Sequence, residues 1–201
     1  MKKSRRIAYI ATFIALIFIA LLLDTAVGSV LPVKPAIFSL PTVFTFALMF
    51  GGLWYAVLGG TVFGLLSFAR AFITGSIPFQ NPLIAILPRI VIGFVIYGLY
   101  YLGRKIFAKS KKSEMLAIGF ASLISVFLHT LIVMTAMFAF DFSDFKGIFM
   151  AIISFNFPIE LVVTTVLTPF LTLGVRRGLK IRIDEKSKKA EKAESVNGEN
   201  E

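Results

Sequence analysis

The sequence has no cysteine and one histidine, and several motifs of common enzymes are missing from its 201 residues. Without thiols, it can form neither disulfides nor zinc–thiolate sites nor a cysteine nucleophile. A lone histidine, His129, excludes a multi-histidine metal site. The GxxxxGK[ST], HExxH and GxSxG motifs do not occur. These absences predict that the protein is not an enzyme and uses no cofactor.

Charge is also scarce. Only 16% of the residues are charged, against about 25% in ordinary soluble domains. Hydrophobic residues make up 57%, and the mean hydropathy is +0.87. A soluble chain of this length would need more polar side chains to cover its surface. The composition therefore predicts an integral membrane protein.

Six apolar runs are candidates for transmembrane helices, since about 20 apolar residues cross about 30 Å of hydrocarbon. They are Ile7–Leu23, Phe38–Phe50, Leu53–Ala71, Leu83–Gly103, Met115–Phe140 and Ile148–Val175. The second follows the proline-rich segment LPVKPAIFSLP and is expected to be tilted or partly broken. The predicted fold is an all-α membrane protein with six transmembrane helices over residues 1–183. A cleaved signal peptide at the N-terminus is the alternative for the first run, which the five later runs and the lack of an A-x-A site disfavour.

The basic residues predict the orientation. Residues 2–6, 104–112 and 176–192 contain four, five and eight of the 21 Lys and Arg residues. Lys and Arg mark the cytoplasmic side, and six spans put all three segments on one side. Both termini are thus predicted to be cytoplasmic, in the cell membrane. The net charge of +10 then reflects orientation and contact with anionic lipid, so no nucleic-acid partner is expected. The charged tail, residues 184–201, is predicted to be disordered.

Two ionisable residues lie inside predicted spans. Arg89 belongs to NPLIAILPRIVIG, and Glu160 to NFPIELVV. Such groups are costly in a membrane and face protein or a cavity. Their predicted depths differ by about 8 to 10 Å, so we expect them to pair or to share a polar network. The network either sets helix packing alone or borders a ligand cavity, and Pro82 and Pro88 would free backbone carbonyls beside it.

Other polar residues are candidates for binding a ligand. Arg70 ends the third span, where it either snorkels to the interface or meets an anionic ligand. Asn81 and Asn156 would supply donors and an acceptor, with helix capping as the alternative and the preferred role for Asn81. His129 is either a packing residue or a hydrogen-bonding partner of substrate.

Small residues form a stripe on the first span. Ala8, Ala11 and Ala15 share one helix face, where another helix can approach closely. The stripe is used either for packing inside the protein or for docking on a partner membrane protein. For the similar pair Gly60 and Gly64, internal packing is the favoured use.

Three segments carry a family resemblance: RRIAYIATFIALIFIA, with Ala-x-x-x-Ala at Ala11 and Ala15; FQNPLIAILPRIVIG; and NFPIELVVTTVLTP. Over about residues 5–178 they resemble the substrate-binding S components of energy-coupling factor (ECF) vitamin transporters. The second segment is similar to the NPLxxxLPRxxxG signature of one branch. Relatives in that branch often carry a Thr-Asn-Thr-like patch on helix five. This chain has LHT at 128–130, so His129 would replace an asparagine contact.

The resemblance implies a six-helix vitamin-binding subunit without ATPase activity of its own. It would capture a vitamin outside the cell, with the loop Asp24–Ser39 closing over the pocket. It would dock through the alanine face on a transmembrane coupling protein that carries two ATPase subunits. Pantothenate is the first candidate, because Arg70 or Arg89 would meet its carboxylate; folate and riboflavin are the alternatives. A self-sufficient small-solute carrier and a non-transporting scaffold are the competing functional classes.

Overall fold

The apolar runs form helices in the computed structural model, which describes residues 3–30, 36–110, 112–140, 150 and 157–179. Within these residues all regular structure is helical. The elements are α1 (Lys3–Val30), α2 (Ser39–Met49), α3 (Leu53–Thr74), a 3-10 turn (Ile77–Gln80), α4 (Pro82–Ala85), α5 (Leu87–Ile106), α6 (Ser113–Ala139) and α7 (Phe157–Gly178). Five stretches, in α1, α3, α4 with α5, α6 and α7, are long and apolar enough to cross a membrane. The all-helical, multi-pass part of the predicted fold is confirmed.

Helix α2 occupies the centre of the bundle. Its 11 residues are nearly all buried. At 1.5 Å per residue it is about 16 Å long, roughly half the thickness of the hydrocarbon core. Helices α3, α5, α6 and α7 pack successively against one another, and α2 contacts all four as well as α1. The second apolar run is thus short, as the sequence indicated, and forms the hydrophobic core.

Helix α1 is longer than predicted. The expected helix ended at Leu23, and Asp24 was expected to begin a loop, but α1 continues to Val30. Asp24 is buried inside the helix because its carboxylate has partners there: it accepts hydrogen bonds from the backbone N–H groups of Phe38 (2.9 Å) and Ser39 (3.0 Å). These donors precede and begin α2, where backbone N–H groups have no partner within the helix. Asp24 therefore ties the start of α2 to α1.

Helices α3 and α5 cross at glycines. A Cβ added to Gly60 would lie 2.1 Å from the carbonyl oxygen of Arg89, and one added to Gly64 would lie 2.9 Å from the Cα of Ile86. Gly93 of α5 is in similarly close contact with α3. The prediction that Gly60 and Gly64 serve internal packing is confirmed.

A buried arginine joins four helices at the other end of the bundle from Asp24. Arg176 of α7 pairs with Glu114 of α6, and its second terminal nitrogen donates to the carbonyl of Leu48 at the end of α2 (2.5 Å). The guanidinium also contacts the hydroxyl of Tyr100 in α5, which donates to Glu114 at 2.5 Å. The sequence counted Arg176 only as an orientation signal, and the structure makes it a packing centre. We call these four residues the Arg176 network.

Candidate functional site

The proline before Arg89 explains how the arginine is accommodated. Pro88 has no N–H, so the carbonyl of Ile84, four residues earlier, lacks the usual helical donor. Nη1 of Arg89 donates to that carbonyl at 2.8 Å. The side chain is 5% exposed, and its guanidinium lies 5.0 Å from the ring centre of Phe79 and 5.8 Å from that of Phe63. The cation is therefore held by a freed carbonyl and two aromatic faces.

Four charged residues, two of each sign and each from a different helix, lie in this part of the bundle. Arg89 interacts electrostatically with Glu160 of α7, and Arg70 of α3 with Asp24 of α1. Asp24 and Glu160 also influence one another, as do Arg70 and Arg89. Two cations and two carboxylates compensate one another's formal charge. We call Asp24, Arg70, Arg89 and Glu160 the charge cluster.

Of the two arrangements predicted for Arg89 and Glu160, a direct ion pair or a shared polar network, the direct ion pair does not form. The carboxylate of Glu160 instead accepts a hydrogen bond of 2.6 Å from the backbone N–H of Ala36, which precedes α2. Arg89 donates to a backbone carbonyl and Glu160 accepts from a backbone N–H, so the two side chains attract each other without direct contact. The Nε of Arg89 is buried without a hydrogen-bond partner.

His129 lies beside this cluster. Its ring is 6.3 Å from that of Phe63, the residue that also faces Arg89, and it interacts electrostatically with Arg89. The side chain is 7% exposed, yet neither ring nitrogen has a hydrogen-bond partner. An ordinary packing histidine would be hydrogen-bonded. The site therefore has three unused polar atoms, on Arg89 and His129.

Helix α7 presents a polar face to the interior. Its buried residues are Glu160, Thr164, Thr168, Pro169, Thr172 and Arg176, whereas large apolar side chains such as Val162, Val166 and Phe170 point outward. Apart from Pro169 they recur every fourth residue and so share one face. This arrangement is the reverse of that in a soluble helix, and it continues the polar site along α7 toward Arg176.

The remaining predicted residues are placed as follows. Asn81 caps α4, with its side-chain oxygen accepting from the N–H of Leu83 at 3.0 Å, so its capping role is confirmed. Asn156 lies outside the described residues, as do 148, 149 and 151–156 of the sixth predicted run and the tail 184–201. Arg70 is half-buried in the charge cluster. The binding roles of these residues stay predictions.

The alanine stripe faces outward. Ala8, Ala11 and Ala15 are all exposed on α1. Internal packing, one of the two uses considered for them, therefore does not occur within the described residues. Their small side chains leave a smooth surface on which a second helix can pack closely.

A groove between α1, α2 and α7 has a different character from the charge cluster. It encloses a cavity of about 300 Å³, lined by apolar side chains such as Phe13, Leu16, Leu167 and Leu171, with Thr42 and Thr45 as its hydroxyl residues. It suits hydrocarbon better than a charged ligand. Among the described residues no three histidine or acidic side chains are grouped to hold a metal ion.

Sequence reasoning missed two parts of the site. Asp24 was assigned to a loop because it follows the first apolar run, and its partners are 14 and 15 residues away. The threonines of α7 were passed over, although their four-residue spacing from Glu160 to Arg176 is visible in ELVVTTVLTPFLTLGVR. No protein-family model matches this chain, and no curated protein matches it.

Proposed function

We propose that this protein is the substrate-binding S component of an ECF-type vitamin importer, with six membrane crossings and cytoplasmic termini. The observation that supports a binding role is the charge cluster with its neighbour His129. Buried ionisable groups inside an apolar bundle are costly and typically mark a functional site. Here, polar atoms of Arg89 and His129 remain without partners, and a bound ligand would supply them.

Pantothenate is the first candidate for the ligand. It carries a carboxylate, an amide and two hydroxyl groups. The carboxylate would meet Arg70 or Arg89, and the ring nitrogens of His129 would bind a hydroxyl or amide. Folate and riboflavin are the alternatives within the same functional class.

The binding test uses the purified full chain. Mass spectrometry of the small molecules that co-purify identifies the ligand, and calorimetry with pantothenate, folate and riboflavin measures Kd. We expect Arg89→Ala to raise Kd more than tenfold, which corresponds to about 1.4 kcal/mol. The matched control is Arg177→Ala, an exposed arginine of α7, for which Kd should not change. Absence of vitamin binding by the wild-type chain would refute the proposal.

The exposed alanine stripe supports the second half of the proposal, docking on a transmembrane coupling protein with two ATPase subunits. Ala11→Trp should abolish co-purification with these partners and leave vitamin binding intact. Leu131→Trp, at an exposed position of α6, should affect neither. Complex formation by Ala11→Trp would show that the stripe is not the docking face. Vitamin transport into liposomes that contain this chain alone would identify a self-sufficient carrier instead.

A further inference from the structure

The register of the interface between α6 and α7 is fixed by contacts along its length. Three pairs of neighbours define it: Glu114 with Arg176, Gly119 with Pro169, and Phe127 with Phe157. Residue numbers rise on α6 as they fall on α7, so the helices are antiparallel. Both rise 1.5 Å per residue, so residues that face each other can be read from these pairs.

This register brings polar side chains of the two helices to the same levels. Ser125, between Gly119 and Phe127, lies about level with Glu160, and His129 lies toward the end of the interface marked by Phe157. Thr164 and Thr168 follow one and two turns further along α7. Each of these five side chains is 7% exposed or less. The polar face of α7 thus meets polar residues of α6 at the end nearer the charge cluster and continues from there toward the Arg176 network.

The polar side chains at the two ends of the α7 polar face have hydrogen-bond partners, but those in its middle do not. At one end Glu160 accepts from the N–H of Ala36, and at the other Thr172 contacts the hydroxyl of Thr45 at 3.4 Å. The polar side-chain atoms of Ser125, Thr164 and Thr168 between these ends, and those of His129 next to the charge cluster, have no hydrogen-bond partner.

Leaving a buried polar group unpaired is unfavourable, so four neighbouring unpaired side chains indicate a polar occupant. None of the four carries a fixed charge. The fixed charges of the described interior lie at the two ends, in the charge cluster and in the Arg176 network. The occupant of the middle is therefore recognised by hydrogen bonds.

We propose that a water-accessible cleft runs from the charge cluster along α6 and α7 as far as Thr168, and that it receives the uncharged, hydroxyl- and amide-bearing part of the ligand. The Arg176 network closes the cleft at its far end. The charged end of the ligand stays at the arginines. The identity of the ligand in this cleft rests on the proposed function. The accessibility of the cleft to water does not, so it is tested separately.

The absence of native cysteine allows a direct test by single-cysteine variants of the full chain in lipid nanodiscs. A thiol reacts with a small, water-soluble methanethiosulfonate only where water lets it ionise. We expect Thr164→Cys and Thr168→Cys to react at least tenfold faster than Val166→Cys, an outward-facing control on the same helix. Ile96→Cys, buried among apolar side chains of α5, is the second control and should also be slow. Equal rates at Thr168 and Val166 would overturn the cleft, whatever the vitamin assays give.

The ligand assignment has its own readout. Saturating pantothenate, folate or riboflavin should slow the labelling of Thr168→Cys. Fast labelling that all three leave unchanged would overturn the assignment of a vitamin to the cleft. Thr168→Val, which removes the hydroxyl and keeps the shape, should raise the Kd of the bound vitamin two- to tenfold, as expected for about 0.5 to 1.5 kcal/mol. An unchanged Kd would likewise contradict it.

Discussion

Replacing Gly60 by alanine should disturb both the stability of the bundle and the binding site, because this glycine sits where α3 crosses α5. The added methyl group would lie 2.1 Å from the carbonyl oxygen of Arg89, whereas ordinary contacts begin at 3.4 Å. The backbone must therefore move by about 1.3 Å, since the carbonyl oxygen of Arg89 belongs to a helix and cannot rotate away. Overpacking of this kind costs about 1 to 3 kcal/mol.

The expected result for Gly60→Ala is a loss of unfolding free energy in that range, together with weaker vitamin binding because Arg89 moves with its backbone. Gly98→Ala is the matched control: Gly98 lies on the same α5, and its added methyl group would meet nothing within 4 Å. This control should be as stable as the wild type, or slightly more stable, since alanine favours helix over glycine.

Unfolding in mixed micelles with increasing denaturing detergent, followed by circular dichroism, measures both variants. The reasoning would be refuted if Gly60→Ala and Gly98→Ala had the same unfolding midpoint and the same Kd. That result would mean that α3 and α5 separate freely and that their glycines do not position Arg89.

The remaining predictions concern the polar contacts that join the helices. Arg176→Leu leaves the carboxylate of Glu114 without its cation and should lower the free energy of unfolding by about 3 kcal/mol. This is the lower end of the range for a buried pair, because the Glu114 side chain is 30% exposed. Adding Glu114→Gln should recover part of the lost stability in the same detergent titration. If Glu114→Gln recovered none of the lost stability, the pairing of Arg176 with Glu114 would be contradicted. Pro88→Ala restores a backbone donor near the carbonyl that Arg89 serves, so Arg89→Met should cost less in that background, with a coupling of about 0.5 to 3 kcal/mol in a double-mutant cycle; additive losses would show that the arginine does not replace the missing donor. Asp24→Ala should lower the free energy of unfolding by about 1 to 3 kcal/mol. It should also speed hydrogen exchange at the amides of Phe38 and Ser39, which donate to the Asp24 carboxylate. Unchanged exchange at these amides would exclude its capping role.

Much of the fold could be predicted from hydropathy. The predicted runs Leu53–Ala71 and Leu83–Gly103 end within a few residues of helices α3 and α5. Where prediction failed, a polar residue misled it: Asp24 marked an apparent loop, yet its carboxylate is satisfied inside the bundle by the start of α2. Pro82 and Pro88 were expected to free backbone carbonyls near Arg89, and the structure adds an interruption there, where α4 ends and α5 begins.

The candidate site was harder to predict than the helices. Arg89, His129 and Glu160 were recognised because polar groups are rare in apolar runs, but their partners were not. The expected partner of Arg89 was Glu160, and its actual partner is a carbonyl five residues away. The threonines of α7 attracted no attention because a threonine is common on either face of a membrane helix.

The sequence alone determined that the chain forms apolar helices and roughly where they begin and end, because a backbone without water must hydrogen-bond to itself and large apolar side chains cover its exterior. Only the tertiary structure decided which polar groups meet. Hydrogen bonds act over about 3 Å and in definite directions, so their partners depend on how helices far apart in the chain cross and rotate. The partners of Asp24, Arg89 and Glu160, and the inward turn of the threonine face of α7, follow from that packing.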